Sequence, residues 1–270
     1  MATNVPSPNP AEAYERHIVQ NMFVPWTADL LQRALPQAGE RVLDLACGTG
    51  IVTRSVASIV GTEGTVTGLD ISPGMLEVAR SLTPSGGAKV EWREGSGTEL
   101  PFEDGSFDLV LCQQGLQFFP DARVGLKEIK RVLTAEGRAI ISLWRNLAAQ
   151  PVMKAFDTVV SRHVAPGAFG PPFSLGDSGI ISRLASEAGF SNVDIQQADL
   201  TIRVGNPDEF APMMLRGATA VLPGFAVKSP AEREQLFDQM KADLSDAVKP
   251  FVQQGTLVMD TTVNVLIARH

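Results

Sequence analysis

Two aspartates carry most of the chemistry that can be read from the chain. Asp44 lies in the apolar run Arg41-Val42-Leu43-Asp44-Leu45, and Asp70 closes Thr65-Val66-Thr67-Gly68-Leu69-Asp70. Between them lies Ala46-Cys47-Gly48-Thr49-Gly50, whose glycines permit positive φ and let a ligand approach the backbone closely. Short apolar runs bounded by turn residues suit buried parallel strands, so the stretch reads as strand, tight loop, helix N-terminus and second strand. A carboxylate at the end of the second strand, 20 residues after Gly50, is placed to accept hydrogen bonds from both hydroxyls of a ribose. The expected ligand carries a nucleoside. A nicotinamide dinucleotide, and with it an NAD(P)-dependent oxidoreductase, is one such reading. Its pyrophosphate calls for G-x-G-x-x-G at the helix N-terminus, and the third glycine position here is Thr53.

The elements that must position these residues alternate regularly. Strands are expected at 41–45, 65–70, 89–93, 107–112 and 138–144, separated by single helices, which implies a parallel, doubly wound α/β sheet with right-handed crossovers. The helix after the glycine loop is expected to bury Ile51, Val52, Val56 and Ile59. Helix starts are marked by Ser72-Pro73, by Asn206-Pro207 and by Ser229-Pro230-Ala231-Glu232, the last a capping box. Two helical patterns fill 10–35 and end at Pro36, behind a Pro-rich first ten residues that read as a disordered arm. After Trp144 the rhythm changes to helices at 151–172 and 177–190, a long strand at 192–204, two more helices, and a final strand at 256–268. The two long strands are expected to pair antiparallel at the sheet edge, with the helices between them capping the ligand cleft.

Composition narrows the class. With 270 residues, 44% hydrophobic and 20% charged, the chain supports one packed domain with an embellishment. A net charge of −7 argues against nucleic acid and against an anionic membrane surface, and favours a small-molecule substrate. No stretch approaches the roughly 20 apolar residues of a membrane span, and the N-terminus lacks a secretory pattern, so a cytoplasmic location is expected. Cys47 and Cys112 have no metal-ligand spacing and read as buried free thiols; no metal site is expected. A homodimer is left open.

Four ordered segments carry a resemblance. Val42 to Gly50, Gly68-Leu69-Asp70-Ile71-Ser72-Pro73-Gly74-Met75-Leu76, Leu100 to Val110 and Arg131 to Arg138 are similar to the successive motifs of class I S-adenosylmethionine-dependent methyltransferases, in particular the branch of ubiquinone/menaquinone-biosynthesis C-methyltransferases. The resemblance covers about 40–144. It implies a Rossmann-like, mostly parallel seven-stranded sheet with an antiparallel last strand. It also implies S-adenosyl-L-methionine as cofactor, S-adenosyl-L-homocysteine as product, and methylation of an oxygen, nitrogen or carbon of a small, hydrophobic or aromatic molecule. In domain terms it suggests an N-terminal helical lid over 1–36, a cofactor core over 37–145, and a cap and substrate region over 146–190 and 205–255.

Carried over by position, Asp44 holds the methionyl amino group through the loop, and Ala46, Gly48 and Gly50 line the methionyl end. Asp70 holds the ribose, with Ile71 and Met75 on the adenine. Where family members place an acidic residue for the adenine amino group, this chain has Gly95-Ser96-Gly97, leaving Ser96 to accept one hydrogen bond. Gln113 is a methionyl contact, Gln117 and Phe118 face acceptor or cofactor, and Tyr14, the only tyrosine, closes over the site. Phe118 and Phe119 read equally as packing between helix and sheet. The apolar, Met-bearing stretches around Phe173 and around Met213 and Met214 are candidates for an acceptor pocket.

Methyl transfer from a sulfonium needs orientation and exclusion of water, with a base only for a poor nucleophile. His17 and His163 are weak base candidates, a lone histidine being more often a structural or surface residue. A non-methylating protein that keeps the nucleoside site is the remaining alternative.

Overall fold

The structure, a computed structural model, describes residues 10–219 and 228–270. The Pro-rich arm lies outside the described residues except for Pro10. The sheet is built from β1 (Arg41–Leu45), β2 (Thr65–Asp70), β3 (Lys89–Glu94), β4 (Phe107–Gln113), β5 (Leu133–Trp144), β6 (Asn192–Val204), the two-residue β7 (Val252–Gln253) and β8 (Thr256–Arg269). Its order is β3-β2-β1-β4-β5-β8-β6, with β7 paired to β8 beside this path. The first five strands are parallel, whereas β8 runs antiparallel to both β5 and β6. The seven-stranded frame with an antiparallel last strand is therefore present, and β7 is an addition to it.

The helices are α1 (Pro10–Tyr14), a π-helical segment (Glu15–Phe23), α2 (Val24–Ala34), α3 (Ile51–Val60), α4 (Pro73–Ser81), α5 (Ala122–Val132), α6 (Pro151–His163), α7 (Ser178–Glu187), α8 (Pro207–Thr219) and α9 (Pro230–Val248). One face of the sheet buries Trp26, Leu30, Val52, Val56, Phe156 and Val160, and this core continues into α8 and α9 through Phe210, Met240 and Leu244. The other buries Leu126, Ile129, Ile181 and Ala185 from α5 and α7. Alternation along the strands explains the split, because Val42, Leu109 and Leu111 face one core while Leu43, Val110 and Cys112 face the other.

Local signals in the sequence act as their chemistry dictates. Ser72 accepts from the Met75 N–H, Asp121 from Arg123 and Val124, and Asp177 from Ile180, each satisfying free N–H groups of a first helical turn. Ser229 and Glu232 form a reciprocal capping box. Two expectations are corrected. Ile59 is exposed, since the buried face of α3 is Val52, Thr53, Val56, Ala57 and Val60. Strand β5 begins at Leu133, which pairs with Phe107 before residues 134–137 loop out and pairing resumes at Arg138. The expected start at 138 is where pairing resumes after this irregularity.

Candidate functional site

The carboxyl ends of β1 and β2 bring Asp44, the glycine loop and Asp70 together. Helix α3 has Gly50 as its N-cap, with φ +86° and no side chain to satisfy the first turn. Asp44 supplies that role from the strand: its Oδ2 accepts from the Thr53 N–H at 2.8 Å and from the Thr53 hydroxyl at 2.6 Å. Asp44 is 1% exposed, and burial outweighs these two bonds, pushing its carboxyl up to about 7. It acts from behind the loop, fixing the loop's shape.

Asp70 lies at the end of β2, largely buried. It accepts from the Gly48 N–H at 2.7 Å and from the Ser72 N–H at 2.9 Å, one bond to each oxygen. Each oxygen keeps a further lone pair for an incoming hydroxyl. Burial holds its carboxyl above the usual range against the pull of these N–H groups. Beside it Ile71 is 73% exposed, an apolar shelf at the end of β2, while Met75 on α4 is half-buried.

The glycines divide by what surrounds them. A Cβ on Gly48 would lie 4.0 Å from the Tyr14 ring, an ordinary contact. A Cβ on Gly50 would lie 2.3 Å from the Trp92 indole, so that glycine is demanded by packing as well as by its φ. Ala46 adopts φ +57° without being glycine. Gly97 is covered by Phe119, whose ring would come within 2.2 Å of an added Cβ and which packs on Gly125 as well. The Ser96 hydroxyl is bonded to the Thr98 hydroxyl at 2.8 Å, tying the 95–97 loop to itself; Gly95 backs onto Leu69.

The N-terminal segment lies across this loop. Glu15 pairs with Arg54 at 3.1 Å and accepts from the Thr49 hydroxyl at 2.5 Å, and Arg54 also donates to the Thr49 carbonyl. Burial, together with Asp70 and Glu15, raises the Tyr14 phenol. Sequence reasoning missed Glu15, Thr53, Arg54 and Trp92, because each acts through a partner that only tertiary structure brings near. Gln113 Oε1 accepts from Thr27 at 2.8 Å and its Nε2 donates to the Phe23 carbonyl at 3.0 Å, so its amide fastens the N-terminal helix to the end of β4.

The acceptor candidates disperse. Gln117 is buried and Phe118 is 50% exposed, both in the turn after β4, while Phe119 is packing. Phe173 ends a buried aromatic column with Phe169 and Phe156, each step 6.0 Å. Met213 and Met214 lie half-buried on α8. His163 bonds Asp243 at 2.9 Å between α6 and α9, with Arg162 on the same carboxylate, which makes it a clasp within the helical region. His17 is half-buried in the π-helical segment. Both cysteines are buried and free, and burial pushes the Cys112 thiol up to about 12.

A doubly wound sheet with an acidic residue ending β2 and a glycine loop ending β1 defines an α/β protein for a nucleoside-bearing ligand. The family described as methyltransferase domain matches residues 43–141. A demethylmenaquinone methyltransferase from Staphylococcus aureus is 33% identical over 199 residues, covering 68% of this chain and 79% of the relative. Among solved structures, the YcgJ protein of Bacillus subtilis superposes with a TM-score of 0.58 at 21% identity, covering 90% of this chain and 98% of its own. A Haemonchus contortus phosphoethanolamine N-methyltransferase 2, in complex with S-adenosylhomocysteine, also reaches 0.58 at 21%, covering 96% of this chain and 56% of its own. The chain belongs to the class I S-adenosylmethionine-dependent methyltransferases. It is a methyltransferase that uses S-adenosyl-L-methionine, and the nicotinamide reading is set aside. Among the described residues no helix is long and apolar enough to cross a membrane.

Proposed function

We propose that this methyltransferase acts on a small, apolar or aromatic acceptor held at the carboxyl ends of β4 and β5 and the adjoining middle of β8 around Val263, beneath a cap formed by the segments 146–190 and 205–255. The observation that carries the reading is the arrangement at Asp70, where a carboxylate fixed by two main-chain N–H groups stands beside the exposed Ile71. That pair suits a ribose and an adenine respectively, and the small residues Ala46 and Gly48 leave room beside the loop. Ser96, engaged with Thr98, keeps acceptor capacity for the nucleobase edge. The 33% identical relative is by name a methyltransferase of demethylmenaquinone, which supports an acceptor of this apolar kind.

When bound, the cofactor supplies an electrophilic methyl group on a sulfonium with a good leaving group. The chain's part is to orient and to dry the site. Asp70 fixes the nucleoside end and Asp44 sets the loop through Thr53. The 1–36 segment acts as lid, with Tyr14 seated near Gly48 and Glu15 latched to Arg54, and so excludes water. His163 is engaged with Asp243 between two helices of the cap and is given no part in proton transfer.

Calorimetry with S-adenosylhomocysteine and with NAD(P), followed by mass spectrometry after incubation with S-adenosylmethionine and demethylmenaquinone reduced to its quinol, tests the reading. Binding of the first nucleotide and not the second, with a product heavier by one CH2, is expected. Absence of that product across hydroxylated aromatic acceptors would overturn the acceptor assignment.

A further inference from the structure

Three buried side-chain atoms have no hydrogen-bond partner among the described residues: Gln117 Oε1, Thr262 Oγ1 and Asn264 Oδ1. Their residues are only 8%, 5% and 1% exposed. Buried polar atoms are paired with few exceptions, so three such atoms require an account. They also share a neighbourhood. Asn264 Nδ2 donates to the Gly176 carbonyl at 3.0 Å, and the Ser174 hydroxyl donates to the Gln117 main-chain carbonyl at 3.4 Å. At Gly176 the same loop rests on the main chain of Arg145 and Asn146, where an added Cβ would fall 2.2 Å from the Asn146 nitrogen. The Arg145 N–H in turn donates to the Thr262 carbonyl at 3.1 Å. Thr262 precedes Asn264 by two residues on one face of β8, and it lines a cavity of about 250 Å³ with Arg145.

The hydrogen-bond network fixes which way the two amides point. Gln114 Oε1 accepts from the Trp144 N–H at 2.8 Å, so that atom is an oxygen, and its Nε2 donates to the Ser142 hydroxyl at 3.1 Å. The atom of Gln117 that meets Gln114 Oε1 at 3.1 Å must then be nitrogen, which leaves its oxygen as the unpaired one. The Gly176 carbonyl makes the same choice for Asn264. Both orphan amide atoms are pure acceptors, so whatever completes them must donate. The turns that carry Phe118 and Phe173 pack on each other beside Gln117, with Phe118 half exposed and Phe173 buried against Phe169.

We infer that Gln117, Asn264 and Thr262 form the polar end of the acceptor site and take the hydroxyl group of an aromatic acceptor. The inference rests on the proposed acceptor edge. It assigns to these residues a positioning and specificity role that the motifs of the cofactor half do not carry. A hydroxyl that donates its one proton to an amide oxygen and accepts from the Thr262 hydroxyl fixes the ring's orientation, and an analogue lacking that proton leaves the amide oxygen unpaired, a loss of about tenfold or more in affinity.

The test measures 1-naphthol against 1-methoxynaphthalene by calorimetry on the full chain, with and without saturating S-adenosylhomocysteine. Naphthol is expected to bind about tenfold tighter or better. Gln117→Met keeps the side chain's length without the acceptor and should collapse the ratio. Thr262→Val removes a hydroxyl that has no partner, so it should fold at least as well as the parent and reduce the ratio. Equal affinity for the two probes, binding of neither, or a ratio that survives in both variants overturns the inference and leaves the buried oxygens to ordered water. If S-adenosylhomocysteine binds while the ratio is one, this site assignment fails and the cofactor assignment stands. If it does not bind, the cofactor assignment fails, and the ratio measured without it still decides the site.

Discussion

The two halves of the sheet's carboxyl edge differ in how completely the chain satisfies them. At β1 and β2, Asp44 and Asp70 are each held by main-chain N–H groups, and Trp92 fills the space over Gly50 and Gly68. At β4, β5 and β8, three buried acceptors stand unpaired. The first half is preorganised by its own backbone, which suits a ligand that every member of the family must hold. In the second half the polar complement has to come from outside the fold, as it must where the ligand differs from one member to another.

Substituting Gly50→Val presses hardest on the preorganised half. The residue demands positive φ, costing about 1–2 kcal/mol, and its Cβ meets an indole, adding about 1–3 kcal/mol, so denaturant unfolding should show a loss of about 3 kcal/mol. Cofactor affinity lost at unchanged stability would mean that Trp92 does not define this position. Asp70→Asn separates binding from folding. Affinity for S-adenosylhomocysteine is expected to drop about tenfold to a hundredfold, because the hydrogen bonds to a charged acceptor weaken. The unfolding midpoint at pH 8 should fall only slightly, since removal of a buried charge offsets the loss of one main-chain hydrogen bond. A variant that loses both equally would make Asp70 a structural residue.

Asp44 gives the next smaller effect, with a defined sign. Its folded carboxyl titrates near 7 against 3.8 when unfolded, so between these values the folded chain holds a proton that the unfolded chain has released. Stability should therefore decline as pH rises from about 4 to 7, by a few kcal/mol at most, and Asp44→Asn should flatten that decline. A wild-type profile that rises through this window would show that the bonds from Thr53 outweigh burial. The smallest effect is expected from Glu15→Gln. It removes the ion pair with Arg54 and keeps an acceptor for Thr49, so hydrogen exchange over 10–23 should quicken by several-fold, corresponding to about 1 kcal/mol.

Most of the fold was legible because it rests on local signals. Short apolar runs bounded by turn residues mark β1, β2 and β4, and Ser72, Asp121, Asp177 and Ser229 cap helix starts that depend only on neighbouring N–H groups. The antiparallel pairing of β6 and β8 followed from their length and alternation. The site was legible where spacing alone places a residue, as for Asp70. It was not legible where a side chain's partner is far along the chain. Gln113 has the composition of a ligand contact yet spends its amide on Phe23 and Thr27, 90 and 86 residues away. Phe173 has the look of a pocket wall yet completes a column with Phe156. Asn264 sits in an apolar alternation that gives no hint of an unpaired oxygen.

The place of β8 in the sheet has a consequence for how the protein reaches its native state. Strand β6 touches the main sheet only through β8, and β8 meets β5 by pairing Arg138 with Arg269 across 131 residues. Such a pairing forms slowly, because a long loop must close before any contact rewards it. The parallel half, 37–144, contains its own neighbouring crossovers and can assemble first. The β6–β8 pair, whose register from Val204–Leu257 to Asn192–Arg269 closes shorter separations than the pairing of β5 with β8, then docks as one piece. Refolding followed at Trp92 should accordingly run ahead of refolding followed at Trp26, whose indole N–H waits for Thr261 of the arriving strand.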